Sequence, residues 1–527
     1  MVIRPLAAVA AFVATMGGAH AQSTVDVVYA TPNDVATLEP TQVQGFSDHT
    51  STLAIFGALT FNFDGKTGEV GYKPFLAEAI DPVDPNIWRI KLREGMSFHN
   101  GAPLNAEAVK FSFDRIRQAD FPSGRYMKSA PIESVEIVDD LTVDVHTTEP
   151  IAIFPARLLR ADGYVVEPGH YADAPPWERI SETAFDPVGA GPFRFVSHEP
   201  DNRLILEVND AFKDPRGYPA PNFDRLILRV IPEPSTLVAE LLQGTVDIAP
   251  IPSEMVRVFE EAPNLRVVTS PSTTRLSFMI NQAAHPALSD RRVRQAINHA
   301  IDVEALRQTL TGGQGVRIAS LVNPPNANPS LRPYNHDPDR SRALLRDAGH
   351  ADGFALTIDW SAAPACGALA TAVVPYLEAV GIAVEAVRER DWATEYLPGQ
   401  VAGTLGGLHG HGHAGVEMTA ETDLWPIHPE REANSTNWTG PAADRFVRLY
   451  RKLQQTTDPD RQRDLGHALQ AITHDEAISV PFWQMPRHVA VSDRVAHFRP
   501  YPGGHNEDFW SIRMSDGASA SGTGARS

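Results

Sequence analysis

The 527 residues carry 65 acidic against 46 basic side chains, a formal net charge of −19, with 43% hydrophobic and 21% charged residues. The acidic excess argues against a nucleic-acid binder, which needs a basic face to neutralise phosphates. The apolar content excludes a disordered or collagen-like chain, and the length suits two to four domains of roughly 100 to 200 residues each.

In chain order, Met1 to Arg4 carries one positive charge, Leu6 to Met16 is a short apolar run, and Ala19-His20-Ala21 places small residues at the positions that direct cleavage. Residues 1–21 therefore read as a signal peptide cut before Gln22. The single cysteine, Cys366, lies far from that point, so no intrachain disulfide and no lipid acceptor of a lipoprotein is expected. No other stretch approaches the ~18 apolar residues that would span a bilayer. The expected product is a soluble monomer in the periplasm.

Strand-like runs follow at Thr24–Ala30, Trp88–Leu92, Val135–Ile137, Thr142–Val145, Phe193–Val196, Leu204–Val208 and Arg225–Val230. Asn105 is placed to cap a helix carrying Val109, Phe113 and Ile116, with Lys110 and Arg115 turned to solvent. Ser235 is placed to cap another that stops at Gly244. From Asp290 longer helices are expected at Asp290–Leu310, Pro338–Ala348, Ala368–Val380, Ala442–Gln455 and Pro459–Thr473. They alternate with strands at Phe354–Trp360 and Ile382–Val387, the pattern of helix-covered α/β units. The tail, 516–527, is small and polar and reads as disordered.

Five blocks carry a resemblance. They are Leu92-Arg-Glu-Gly-Met-Ser-Phe-His-Asn-Gly-Ala-Pro-Leu-Asn-Ala-Glu-Ala-Val-Lys-Phe-Ser-Phe-Asp-Arg115, Pro187 to Phe195, Leu241 to Ile248, Leu288 to Asp302, and Tyr334 to Gly349. In this order they resemble the extracytoplasmic solute-binding proteins of ABC importers, family 5, which bind dipeptides, oligopeptides and nickel complexes. The resemblance implies an α/β, two-lobed periplasmic-binding-protein fold of type II, large peptide-binding subclass, with a ligand cleft between the lobes and a two-strand hinge. Lobe one would take 22–270 plus 487–515, with an inserted subdomain near 57–190, and lobe two 271–486. It further implies capture of a small peptide or peptide-like solute by lobe closure and delivery to permease subunits served by a cytoplasmic ATPase, without enzymatic chemistry. Sensing through the same closed state is an alternative use of such a fold.

The run His409-Gly-His411-Gly-His413 is the most unusual segment. Three imidazoles separated by glycines suggest three readings: a metal site, direct ligand contact, or an exposed loop. No resident cofactor is expected, and any metal would enter as part of the ligand, a nickel or other metal chelate. A secreted metallohydrolase is a weaker alternative, because H-E-x-x-H and G-x-S-x-G are both missing from the sequence. Gly410 to Gly415 also fits G-x-G-x-x-G, but Trp425-Pro426 and His428-Pro429 would break the helix that a dinucleotide site needs. Where peptide-binding relatives carry an acid for the peptide ammonium, no Asp occurs in this segment before Asp423. Arg125 and Arg160 are candidate partners for a carboxylate, as the resemblance places ligand-contacting arginines in that region. Tyr29, Phe46, Trp425 and Trp438 are candidate stacking aromatics, with core packing as the alternative for each.

Overall fold

A computed structural model describes residues 24–43, 46–67, 70–117, 132–159, 163–172, 186–324, 326–361, 364–410, 412–414, 419–503 and 506–516. The expected signal peptide and the expected tail from 517 onward lie outside them. One large mixed sheet runs through the molecule. Its strands, from one edge to the other, are Ile382–Arg390, Phe354–Ser361, Leu408–Gly410, Leu265–Ile280, Ser479–Ser492, Ile248–Ile251, Asp26–Thr31, Arg225–Val230, Arg203–Val208 and Phe193–Glu199. A separate antiparallel sheet of Ala77–Asp84, Ile87–Leu92, Thr142–Thr147 and Ile132–Asp139 packs on the first half of the chain.

The two longest strands, Leu265–Ile280 and Ser479–Ser492, join two lobes. On one side the core is built from residues such as Val27, Leu226 and Ile248, with Val489 and Val491 returning late in the chain. On the other it is built from Leu276, Phe278, Ile297, Ile358 and Trp483. Neither long strand alternates in a way that reads as a strand. Pro271, Pro481 and Pro486 interrupt them, and a proline inside a run ordinarily counts against one.

Several local expectations need correction. Asp290–Leu310 is two helices, Arg291–Ala300 and Val303–Thr311, because Ile301 turns to extended backbone and Asp302 caps the second by accepting from the Ala305 N–H at 3.0 Å. Ala368–Val380 likewise falls into Pro364–Ala372 and Val374–Glu378, the second helix carrying a proline in its first turn. Glu233, not Ser235, precedes the helix Pro234–Gln243, which does end on left-handed Gly244 at φ 73°. Asn105 caps Ala106–Ile116 through Ala108 N–H at 3.0 Å. Arg115 on that helix is buried rather than solvated, its guanidinium forked onto Glu39 at 2.8 and 2.9 Å.

The segment from Gly189 to Pro192 shows why glycine is required there. A Cβ on Gly191 would stand 2.6 Å from the Gly57 amide nitrogen and 2.6 Å from the Ile55 carbonyl oxygen, both backbone atoms that cannot swing aside. Gly191→Ala should therefore lower the unfolding free energy by about 1–3 kcal/mol, as overpacking does. A urea titration with an unchanged midpoint would contradict that fit.

Candidate functional site at the lobe crossing

The chain passes between lobes where Pro271 stands opposite Pro486. Neither has an N–H to give to the ladder. The pairing then slips: the next matched pair is Arg275 with Gln484, followed by Ser277 with Pro481, an irregularity on each side of Arg275. A ladder thinned by prolines and bulges bends more readily than the regular pairing of Leu265–Ser270 with Arg487–Ser492 beside it. Contacts that reach across include Thr273 N–H to Pro502 C=O at 3.1 Å, Ala152 N–H to Gln454 C=O at 2.7 Å, and the His488 imidazole to Gln314 Oε1 at 2.8 Å.

Each lobe brings a buried ion pair to this crossing. In lobe one Arg487 donates to Glu507 and to the Tyr501 carbonyl, while Glu507 also accepts from Tyr29 OH at 3.2 Å and Tyr501 N–H at 2.9 Å. In lobe two Arg275 donates to Asp423 at 2.9 Å, and Asp423 accepts from Asn323 N–H at 2.9 Å. Burial pushes the Glu507 carboxyl upward, against the opposing pull of Arg487.

His409 and His413 of the histidine run lie on strands beside this crossing. His413–Ala414 pairs with Thr274 and Arg275, and His409 with Met279 and with Asp359. His409 is buried, and both ring nitrogens are committed. Nε2 faces the Ser435 carbonyl, which can only accept, so Nε2 carries the proton and Nδ1 accepts from Tyr396 OH at 2.8 Å. A three-histidine cage that includes His409 is thereby corrected: this imidazole is a structural strut without a free lone pair. His411 lies outside the described residues. Among the described residues, no group of three or more His, Cys, Asp or Glu is placed to hold a metal ion.

Of the other candidates, Arg125 and Arg160 lie outside the described residues. Phe46 begins the helix Phe46–Phe56 in lobe one. Tyr29 is corrected from a stacking aromatic to a core residue, fully buried with edge-to-face contacts to Phe498 and Phe509 at 6.3 and 5.2 Å. Trp438 is buried against Phe446 at 5.6 Å. Trp425 keeps 43% of its surface exposed and packs on His428 and Tyr450. Asp423 is spent on Arg275 and Asn323. The paired prolines were the available signal for the crossing; Arg275, Arg487 and Glu507 carry no local pattern that marks them.

Comparison with known proteins agrees with this architecture. A family model described as bacterial extracellular solute-binding proteins, family 5 Middle, matches residues 71–426. The glutathione-binding protein GsiB of Pectobacterium atrosepticum is 30% identical over 339 residues, which is 64% of this chain and 63% of that protein. The chain thus spans a little under two thirds of the length of the curated relatives it matches. HbpA2 from Haemophilus parasuis superposes with a TM-score of 0.80 at 21% identity, covering 93% of this chain and 100% of that one. DppA from Helicobacter pylori, solved in complex with the peptide STSA, gives 0.74 at 22% identity, covering 94% and 99%. At these identities the two structures show the shared fold.

Proposed function

The chain belongs to the bacterial extracellular solute-binding proteins of family 5, and from that premise we propose that it is the periplasmic substrate-binding component of an ABC importer. It captures a small peptide or peptide-like solute between its lobes as a monomer and presents the closed form to the permease. The observation that carries this reading is the crossing itself. Two long strands hold two separately packed cores, and their pairing is interrupted where prolines face each other. Such a joint lets rigid halves swing while each core stays intact, and a ligand that touches both halves shifts the population toward closure by its differential affinity. A relative named for glutathione binding and a fold neighbour solved with a peptide support the peptide class. Export through the 1–21 segment fits the same role. The metal-chelate reading has less behind it, because His409 is committed to Tyr396 and Ser435.

The test is titration calorimetry of the purified chain with dipeptides, tripeptides, glutathione and nickel chelates, paired with small-angle scattering. Binding of at least one peptide, with a smaller radius of gyration in its presence, is the expected result. Binding of chelates alone, or hydrolysis of any peptide, would overturn the proposal.

A further inference from the structure

A ladder interrupted by prolines bends easily, so a single hydrogen bond placed across the bend can bias it. His488 and Gln314 form such a bond. His488 stands two residues past Pro486, buried in the regular ladder of lobe one, where it pairs with Thr269 and with Ile251. Gln314 belongs to lobe two, between the helix Val303–Thr311 and the short strand Val316–Arg317, which pairs with Gln484 and Trp483 on the other side of Pro486. Gln314 Oε1 only accepts, so His488 Nε2 carries the proton and donates at 2.8 Å, while Nδ1 accepts from the Thr269 hydroxyl at 2.8 Å.

The loop that carries Gln314 is braced from its own lobe. The Thr311 hydroxyl donates to the Gln314 carbonyl at 2.7 Å, and the Arg307 guanidinium donates to the carbonyls of Gly313 and Gly315. Gly315 takes left-handed backbone at φ 83°, and a Cβ there would stand 2.7 Å from the Gln484 carbonyl oxygen, so the loop lies directly on the crossing strand. Both ends of the contact are therefore fixed, and the bend lies between them. We propose that Gln314 and His488 form a latch across the hinge that favours the arrangement in which the lobes touch, an inference that rests on the lobe closure read above but not on which solute is captured. Opening exchanges this bond for bonds to water, so the latch biases the equilibrium rather than locking it.

Amide hydrogen exchange at Ala152, followed by mass spectrometry, reads the lobe equilibrium, because its N–H donates to the Gln454 carbonyl of the other lobe at 2.7 Å, a contact that shares no residue with the latch. Gln314→Ala removes the acceptor and should speed exchange at Ala152 about 2- to 10-fold in the ligand-free chain. It should also weaken binding of glutathione or Ala-Ala-Ala, whichever the wild type binds, by a similar factor. Gln314→Glu keeps an acceptor and should leave exchange at or below the wild-type rate. Equal exchange in Gln314→Ala and the wild type overturns the latch and leaves the capture reading standing. Slower exchange or tighter binding in Gln314→Ala also overturns it, by placing the contact on the separated arrangement. Exchange that speeds equally in both variants overturns it too, since the effect then does not follow the acceptor. A wild-type chain that binds no peptide overturns the capture reading, while the exchange comparison still decides the latch.

Discussion

Replacing Glu507 by Ala should lower the unfolding free energy by about 3–5 kcal/mol, the cost of stranding one member of a buried ion pair. The partner left behind is Arg487, at the lobe-one side of the crossing with 11% of its side chain exposed, whose guanidinium also donates to the Tyr501 carbonyl and the Tyr29 hydroxyl, both neutral acceptors. The loss also removes the carboxylate to which Tyr501 N–H and Tyr29 OH donate in the wild type. Against a typical stability of about 5–15 kcal/mol this is a large fraction. The double change Arg487→Met with Glu507→Leu should recover most of it, because removing both charges removes the desolvation penalty as well as the attraction. Urea unfolding of the three chains decides: a Glu507→Ala cost below about 1 kcal/mol would mean that the pair is solvated and that water reaches the crossing.

The location of this pair matters to function. Arg487 follows Pro486 directly, at the point where the second crossing strand leaves the irregular stretch. An anchored residue beside a weakened ladder fixes where bending starts. The same holds on the other strand, where Arg275 is tied to Asp423 just past Pro271. Each lobe thus ends in a clamped arginine, and the flexible interval between them is short. A short interval confines the motion to a hinge rather than a slide.

How much of this was readable from residues alone depends on how local the cause is. Arg225–Val230 alternates cleanly and forms the expected strand. Asn105 and Gly244 act through their own turns and mark helix ends as expected. The two crossing strands escaped a pattern-based reading because their prolines, which signal breaks in ordinary strands, are the feature that makes them a hinge. Arg115 looked like a surface charge on an amphipathic helix, since its partner Glu39 is 76 positions away and invisible to helical periodicity. The histidine run has the look of a metal motif, yet the fate of His409 was set by Tyr396 and Ser435, contacts that exist only after the second lobe has folded. Site chemistry here is non-local throughout, whereas helix and strand ends are not.

That buried imidazole leads to the second large effect, an acid-induced loss of stability. Burial lowers the His409 pKa from 6.5 to about 4, partly opposed by its hydrogen bond to Ser435 and by nearby Asp359. The folded chain therefore disfavours the protonated ring that the unfolded chain accepts. Stability is complete above pH 6.5 and falls as pH drops toward 4, where the unfolded state binds the extra proton. Protonation would also place a hydrogen on Nδ1, facing the Tyr396 hydroxyl that donates to it in the neutral form, so the geometry and the electrostatics point the same way. Each tenfold difference in proton affinity between the folded and unfolded chain is worth about 1.4 kcal/mol, so the loss at pH 4.5 relative to pH 7 amounts to about 2–3 kcal/mol. His99, also lowered to about 4 by burial, adds to the same limb, so the wild-type curve alone does not assign the effect. His409→Gln keeps a donor for the Ser435 carbonyl and removes the titration. Urea midpoints measured from pH 7 to pH 4.5 should fall less steeply in this variant than in the wild type, by about 2–3 kcal/mol over the interval. Parallel curves would show that His409 is reached by water in the folded chain, and would return it to the pool of histidines available to a ligand.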